Sequence, residues 1–199
     1  MNYATIPFRI KGQKHIQKFE SLIKRMMYVE NLIRIICLEL INNGFDTWEI
    51  TPYFLEKVPN KKITLNQTER LKELQDKLNK SYKNLGYSVT QTICHKVARD
   101  IKSVLRLRQK GHYANFPKPK ELDRWHHYSC TFGKDNFRQK NDKLKIWLGT
   151  GSFKRTYTIK LPKYFSQICR VKTFSFVWTR DVGIDIHVTY QQYKKEFKS

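Results

Sequence analysis

The chain has 199 residues, 40% of them hydrophobic and 14% aromatic, enough for one domain or two small ones with a real core, which excludes disorder over most of its length. Its 39 Lys and Arg against 17 Asp and Glu give a formal net charge of +22, far beyond what solubility requires, and this implies a polyanionic partner. No apolar run approaches the roughly 20 residues of a membrane span, and the N-terminus lacks the basic and apolar regions of a secretory leader. A cytoplasmic protein without a membrane association is therefore expected.

In chain order, Thr5 to Arg9 reads as a short strand with Ile6, Phe8 and Ile10 alternating, and Pro7, which lacks a donor, favours an edge position. From about Gln13 to Asn43 the period turns helical, with Ile16, Phe19, Leu22, Ile23, Met26, Met27, Leu32, Ile33, Ile36 and Leu40 on one broad face, closed by Gly44. The Met pair reads as core filler. Phe45 to Pro59 lacks a sustained period and reads as a connector with room for one helical turn. A second long helix is expected from about Leu65 to Leu85, opened by Thr64-x-x-Gln67, striped by Leu71, Leu74, Leu78, Tyr82 and Leu85, and ended by Gly86.

A third helix runs from Ser88 to Gly111. Val89, Ile93, Val97, Ile101 and Val104 share one face, while Gln91, His95, Lys96, Arg99, Lys102, Arg106 and Lys110 fall on the other. That second face is either simply solvated or waiting for an anion. Ser88-x-x-Gln91 has the form of a capping box, and Gly111 stands where the helix would stop. Three helices with short joins make a plausible bundle.

After Gly111 the period becomes two. Tyr128 to Phe132, Leu144 to Leu148, Thr156 to Leu161, Val171 to Thr179 and Ile184 to Tyr190 read as strands, the last two joined by a hairpin through Arg180, Asp181, Val182 and Gly183. Such strands suggest a small antiparallel β-barrel, so the fold class is α+β. The isolated first strand joins this barrel if the helices are an insertion, giving segments 1–12, 13–111 and 112–199.

Cys37, Cys94, Cys130 and Cys169 are scattered without a zinc-site spacing, and adjacent His126 and His127 would point to opposite faces of a strand. No metal, cofactor or catalytic constellation is expected.

Several stretches carry a likeness in their order and distances. They are the opening Thr5-Ile-Pro-Phe-Arg-Ile10 with Gln13 and a long helix, the basic helix running into Gly111 and Phe116-Pro117-Lys118-x-Lys120, then Asn136-Phe137-Arg138, Ile159-Lys160-Leu161-Pro162, and Lys172 to Arg180. Over about the whole chain this resembles the N-terminal half of the OrfB/TnpB-type transposon proteins, relatives of the type V CRISPR effectors. The resemblance implies that the barrel is an OB-like wedge domain and the bundle a recognition lobe, which together hold a structured guide RNA and help recognise target DNA. The family's RuvC-like nuclease has no counterpart of sufficient length after Gly183-Ile184-Asp185-Ile186, so cleavage would need a separate RuvC-type subunit, and Asp185 reads as an outward residue on a hairpin strand.

For RNA, phosphates call for cations and exposed bases for aromatic planes. The candidates are Tyr113, Phe116, Lys118, Lys120, Arg124, Lys134, Phe137, Arg138, Lys140, Lys154, Arg155, Lys160, Lys163 and Arg180. Trp125 and Phe137 are expected to divide between base stacking and core packing. For DNA, the candidates are Gln91, His95, Arg99, Lys102, Arg106 and Lys110, with Gln91 either a base reader or the capping partner of Ser88. The rival reading is a stand-alone nucleic-acid-binding accessory protein that uses no guide.

Overall fold

Residues 2–57, 69–162 and 169–192 are described by a computed structural model of the chain. The chain divides into two compact units, one formed by residues 1–23 and 126–199 and the other by residues 24–125.

Among the described residues of the first unit, seven strands form two antiparallel sheets. The larger has the order β1-β7-β6-β2, built from β1 (Asn2–Arg9), β2 (His127–Phe132), β6 (Cys169–Thr179) and β7 (Gly183–Gln192). Pro7 lies on β1, which among the described residues pairs only with β7 and is an edge, where a missing donor costs no ladder bond. Period-two burial selects the inner face: Tyr128, Cys130, Phe132, Phe174, Phe176, Trp178, Ile184, Ile186 and Val188 are all buried. Phe19, in the first turns of the helix α1 (Gln13–Asn42), stacks on Phe176 at 5.0 Å between ring centroids, which ties the start of that helix to the β unit.

The smaller sheet is a meander of β3 (Phe137–Lys140), β4 (Lys143–Leu148) and β5 (Arg155–Lys160). Leu144, Ile146, Leu148 and Ile159 turn inward and are buried. Gln139 links the two sheets: its amide oxygen accepts from the Val171 N–H at 3.0 Å, and its amide nitrogen donates to the Cys169 carbonyl at 3.4 Å, close to an irregularity in β6. The Phe137 and Phe174 rings meet edge to face, 6.0 Å between centroids. The sheets are thus joined by side chains. Among the described residues they share no strand pairing, and no closed barrel forms.

The second unit contains the rest of α1, with α2 (Pro52–Lys57), α3 (Glu69–Leu85) and α4 (Tyr87–Gln109). The connector expected from Phe45 onward therefore contains one short helix, α2. Met26 and Met27 are buried, as core filler should be. On α4, Val89, Ile93, Val97 and Ile101 are buried together with Cys94, Ala98 and Leu105, whereas Val104 is half-buried. The Thr64-x-x-Gln67 start expected for α3 lies outside the described residues, as does the tail from residue 193.

Two glycines set the limits of α4. Gly86, at φ 81°, ends α3 and starts α4; its carbonyl accepts from both the Thr90 N–H at 3.2 Å and the Thr90 hydroxyl at 3.0 Å. The expected capping box at Ser88 does not form. The helix already begins at Tyr87, so Ser88 is inside the first turn, and no side chain caps the end. At the other end Gly111 takes φ 79°, and the Gly111 and His112 N–H groups return to the carbonyls of Arg108 and Leu107, a left-handed stop as its position implied.

Candidate nucleic-acid interface

The β unit carries its charge on the outward face of the meander. Strand pairing places Arg138 opposite Lys145, Lys140 opposite Lys143, and Lys143 opposite Lys160. Because successive residues alternate between faces, Arg138, Lys140, Lys143, Lys145 and Lys160 share one surface with Trp147, Thr156 and Thr158, and Lys154 lies in the same shallow groove as most of them. All six cations are exposed, and among the described residues none of them forms a salt bridge. Like charges directly opposite one another destabilise a sheet. Three such pairs on one small meander make a site that an anion would stabilise.

Of the expected RNA contacts, Arg138, Lys140, Lys154 and Lys160 fall on this surface. Lys134 lines an adjoining depression with Phe137, Arg138, Arg170 and Lys172. Arg155 does not fall on the basic surface, because it shares the strand parity of Tyr157 and Ile159, and its guanidinium donates to the carbonyls of Ser152 at 2.8 Å and Lys154 at 3.0 Å. Arg180 lies in the β6–β7 turn, half-buried, with its N–H bonded to the His126 carbonyl. Lys163 lies outside the described residues. Lys143, Lys145 and Trp147 were not among the expected contacts; the signal for them is the alternation Lys143-x-Lys145-x-Trp147, interleaved with the buried Leu144, Ile146 and Leu148.

The helical unit has a separate basic groove. His95, Arg99, Lys102 and Arg106 recur at spacings of four, three and four on α4 and line it with Pro52 of α2 and Ser103. Among the described residues Arg99, Lys102 and Arg106 make no salt bridge. Gln91, half-buried, stands one turn before His95, and Lys110 forms the exposed C-cap. With no capping box, Gln91 is not held by Ser88 in that role.

Beyond Gly111 the chain folds back over its own helix. The Arg108 guanidinium lies 4.3 Å from the centre of the Phe116 ring and donates to the Ala114 carbonyl at 2.8 Å, so Phe116 is half-buried and covered. Tyr113 is 91% exposed and offers a bare ring. The segment then runs along α1: Asn31 exchanges two hydrogen bonds with the Lys120 backbone, and Arg34 donates to the Lys118 carbonyl at 3.1 Å. These bonds use main-chain atoms. The Lys118 side chain is exposed, while the ammonium of Lys120 lies 5.4 Å from the centre of the Trp125 ring. Arg124 pairs with Glu121 at 2.9 Å.

Trp125 is buried, not a stacking surface. Beside it lies a charged cluster. Glu30, fully buried, accepts from Arg34 at 2.5 Å and from Lys96 at 2.8 Å, and both cations also approach the Trp125 ring. Lys96 is thereby withdrawn from the free cation row of α4. Asp100 lies 3.5 Å from Arg34; burial pushes its carboxyl pKa up, against the opposing pull of Arg34.

All four cysteines are buried thiols outside any disulfide, and among the described residues no group of three His, Cys, Asp or Glu side chains is placed to hold a metal ion. Among the same residues no helix is long and apolar enough to cross a membrane. The sequence matches no protein-family model, and no curated protein sequence shows significant similarity to it.

Proposed function

We propose that the chain binds nucleic acid through both units: RNA on the β3-β4-β5 surface, and DNA along the cation row of α4. The observation that carries this reading is the set of unneutralised, mutually opposed cations on the meander. Three like-charge pairs face to face repel one another in the free protein, whereas a phosphate backbone lying across them turns the same repulsion into attraction. The α4 groove, with Arg99, Lys102 and Arg106 behind His95, and Gln91 one turn before it on the helix, supports the second half of the reading: cations to position a backbone and a Gln and a His able to meet base edges.

In the fuller form of this proposal, the β unit serves as a wedge-like, OB-related domain and the helical unit as a recognition lobe, similar to the RNA-guided OrfB/TnpB-type proteins. The bound RNA is then a structured guide, and strand cleavage is the task of a RuvC-type nuclease partner. The chain itself acts by binding and positioning, in the cytoplasm.

The test is to purify the protein from cells and sequence the RNA that accompanies it, beside a Lys143→Glu/Lys145→Glu variant. One abundant structured species with a variable end, lost in the variant, is the expected result. A smear of cellular RNA would point instead to a stand-alone nucleic-acid binder without a guide. Equal recovery with the variant would remove the meander from the proposal.

A further inference from the structure

Among the cations of the meander stands one large aromatic side chain. Trp147 is on β4, opposite Thr156, half-buried on the same surface as Lys145 and Thr158. Its position is unlike that of Phe116 and Trp125, which cations already cover. Phe116 is covered by Arg108, and Trp125 is buried among Arg34, Lys96 and Lys120. Among the described residues, Trp147 has neither a cation over its ring nor another ring against it. Its opposite neighbour Thr156 is small and exposed, and the two line the same shallow groove.

An apolar plane left partly open in a field of cations needs a ligand that is both anionic and aromatic. A lipid surface takes up an indole when other apolar side chains enter with it, and the neighbours of Trp147 are cations and threonines; a peptide of acidic residues would satisfy the lysines but leave the indole wet. A nucleic-acid duplex would offer phosphates, with its bases stacked on each other and out of reach. An unpaired nucleotide offers both groups from one molecule, its phosphates a few ångströms from its base. The threonine hydroxyls at 156 and 158 add short donors and acceptors suited to sugar or base edges.

We infer that Trp147 is a base-stacking residue, and that the meander takes a single-stranded stretch of nucleic acid, with one unpaired base on the indole and its flanking phosphates on Lys143 and Lys145. The inference rests on the reading of this surface as a nucleic-acid site and goes beyond it in selecting unpaired over paired strands.

The experiment compares binding of three probes at low salt: an unstructured RNA 12-mer, an abasic 12-mer with the same sugar-phosphate backbone, and a 12-base-pair RNA duplex. Trp147→Ala should weaken the 12-mer about tenfold or more, leave the abasic strand and duplex within about twofold, and leave the salt slope unchanged. Trp147→Phe, which keeps a ring and guards against loss of folding, should retain most of the affinity. An equal loss on all three probes, or no loss on any, overturns the stacking role. The parent reading fails separately: it falls if the wild-type protein binds none of the probes, or if Lys143→Glu/Lys145→Glu binds them as well as wild type.

Discussion

Arg9 grips Asp185 across the β1–β7 pair with two parallel bonds, Nε to Oδ1 at 2.6 Å and Nη2 to Oδ2 at 2.8 Å, and its third nitrogen donates to the Val182 carbonyl. The carboxylate in the Gly183-Ile184-Asp185-Ile186 stretch thus fastens the edge strand to the last hairpin. Both of its oxygens are engaged by one guanidinium.

Arg9 holds the Asp185 carboxyl below its ordinary value of 3.8. A carboxyl depressed in the folded state contributes stability above its unfolded value and loses it as the pH falls through the folded one. Asp185→Asn should therefore lower stability by about 1 kcal/mol at neutral pH, the pair being partly exposed. Urea unfolding curves of variant and wild type should converge at strongly acid pH, and nucleic-acid affinity should not change.

The Glu30 cluster should be far less tolerant. Replacing Glu30 by Ala leaves Arg34 and Lys96 without their shared buried carboxylate, a change that typically costs about 3–5 kcal/mol. The urea midpoint should fall accordingly, and the protection of amides along α1 and α4 from hydrogen exchange should fall with it.

On the meander, stability and binding should move in opposite directions. Lys143→Glu/Lys145→Glu replaces three repulsive cross-strand pairs with attractive ones, and should raise the stability of the free protein by about 1 kcal/mol. The same variant should lose most of its RNA affinity. A gain in melting temperature with a loss of binding would distinguish a functional site from a merely solvated one.

Binding should also be steeply salt-dependent. With about six phosphates neutralised and a slope near −0.7 per contact for a single strand, affinity should fall by between two and three orders of magnitude from about 50 to about 200 mM salt. A flat titration would argue against the six cations acting on a backbone.

Much of the fold was legible because burial imposes its period directly. Leu144, Ile146 and Leu148 alternate, and the face of α4 formed by Val89, Ile93, Val97 and Ile101 repeats every four residues. The strand β3 was harder to see, since its four residues contain one apolar side chain, and one of them, Gln139, is held through bonds to β6 about thirty residues away. Ser88 and Gln91 matched a capping motif in sequence, but a single glycine serving two helices moved the start of α4 ahead of them. For the site, the cation row of α4 was visible from spacing, with the exception of Lys96. Its carboxylate partner is 66 residues distant, and nothing local announces it. The meander surface was only half legible: Lys143, Lys145 and Trp147 become one site with Arg138 and Lys160 only when strand register brings them side by side.

The single-residue joint at Gly86 fixes the rotational phase of α4. An α-helix turns by about 100° per residue, and the joint holds no spare residue to absorb a change of length. An added residue would have to be looped out, or else rotate the helix and carry Ile93 and Val97 off the core as it moved Arg99 and Arg106 around the axis. The aim of the cation row is thereby set by the chain length between Leu85 and Tyr87, before any side chain of the groove makes a contact.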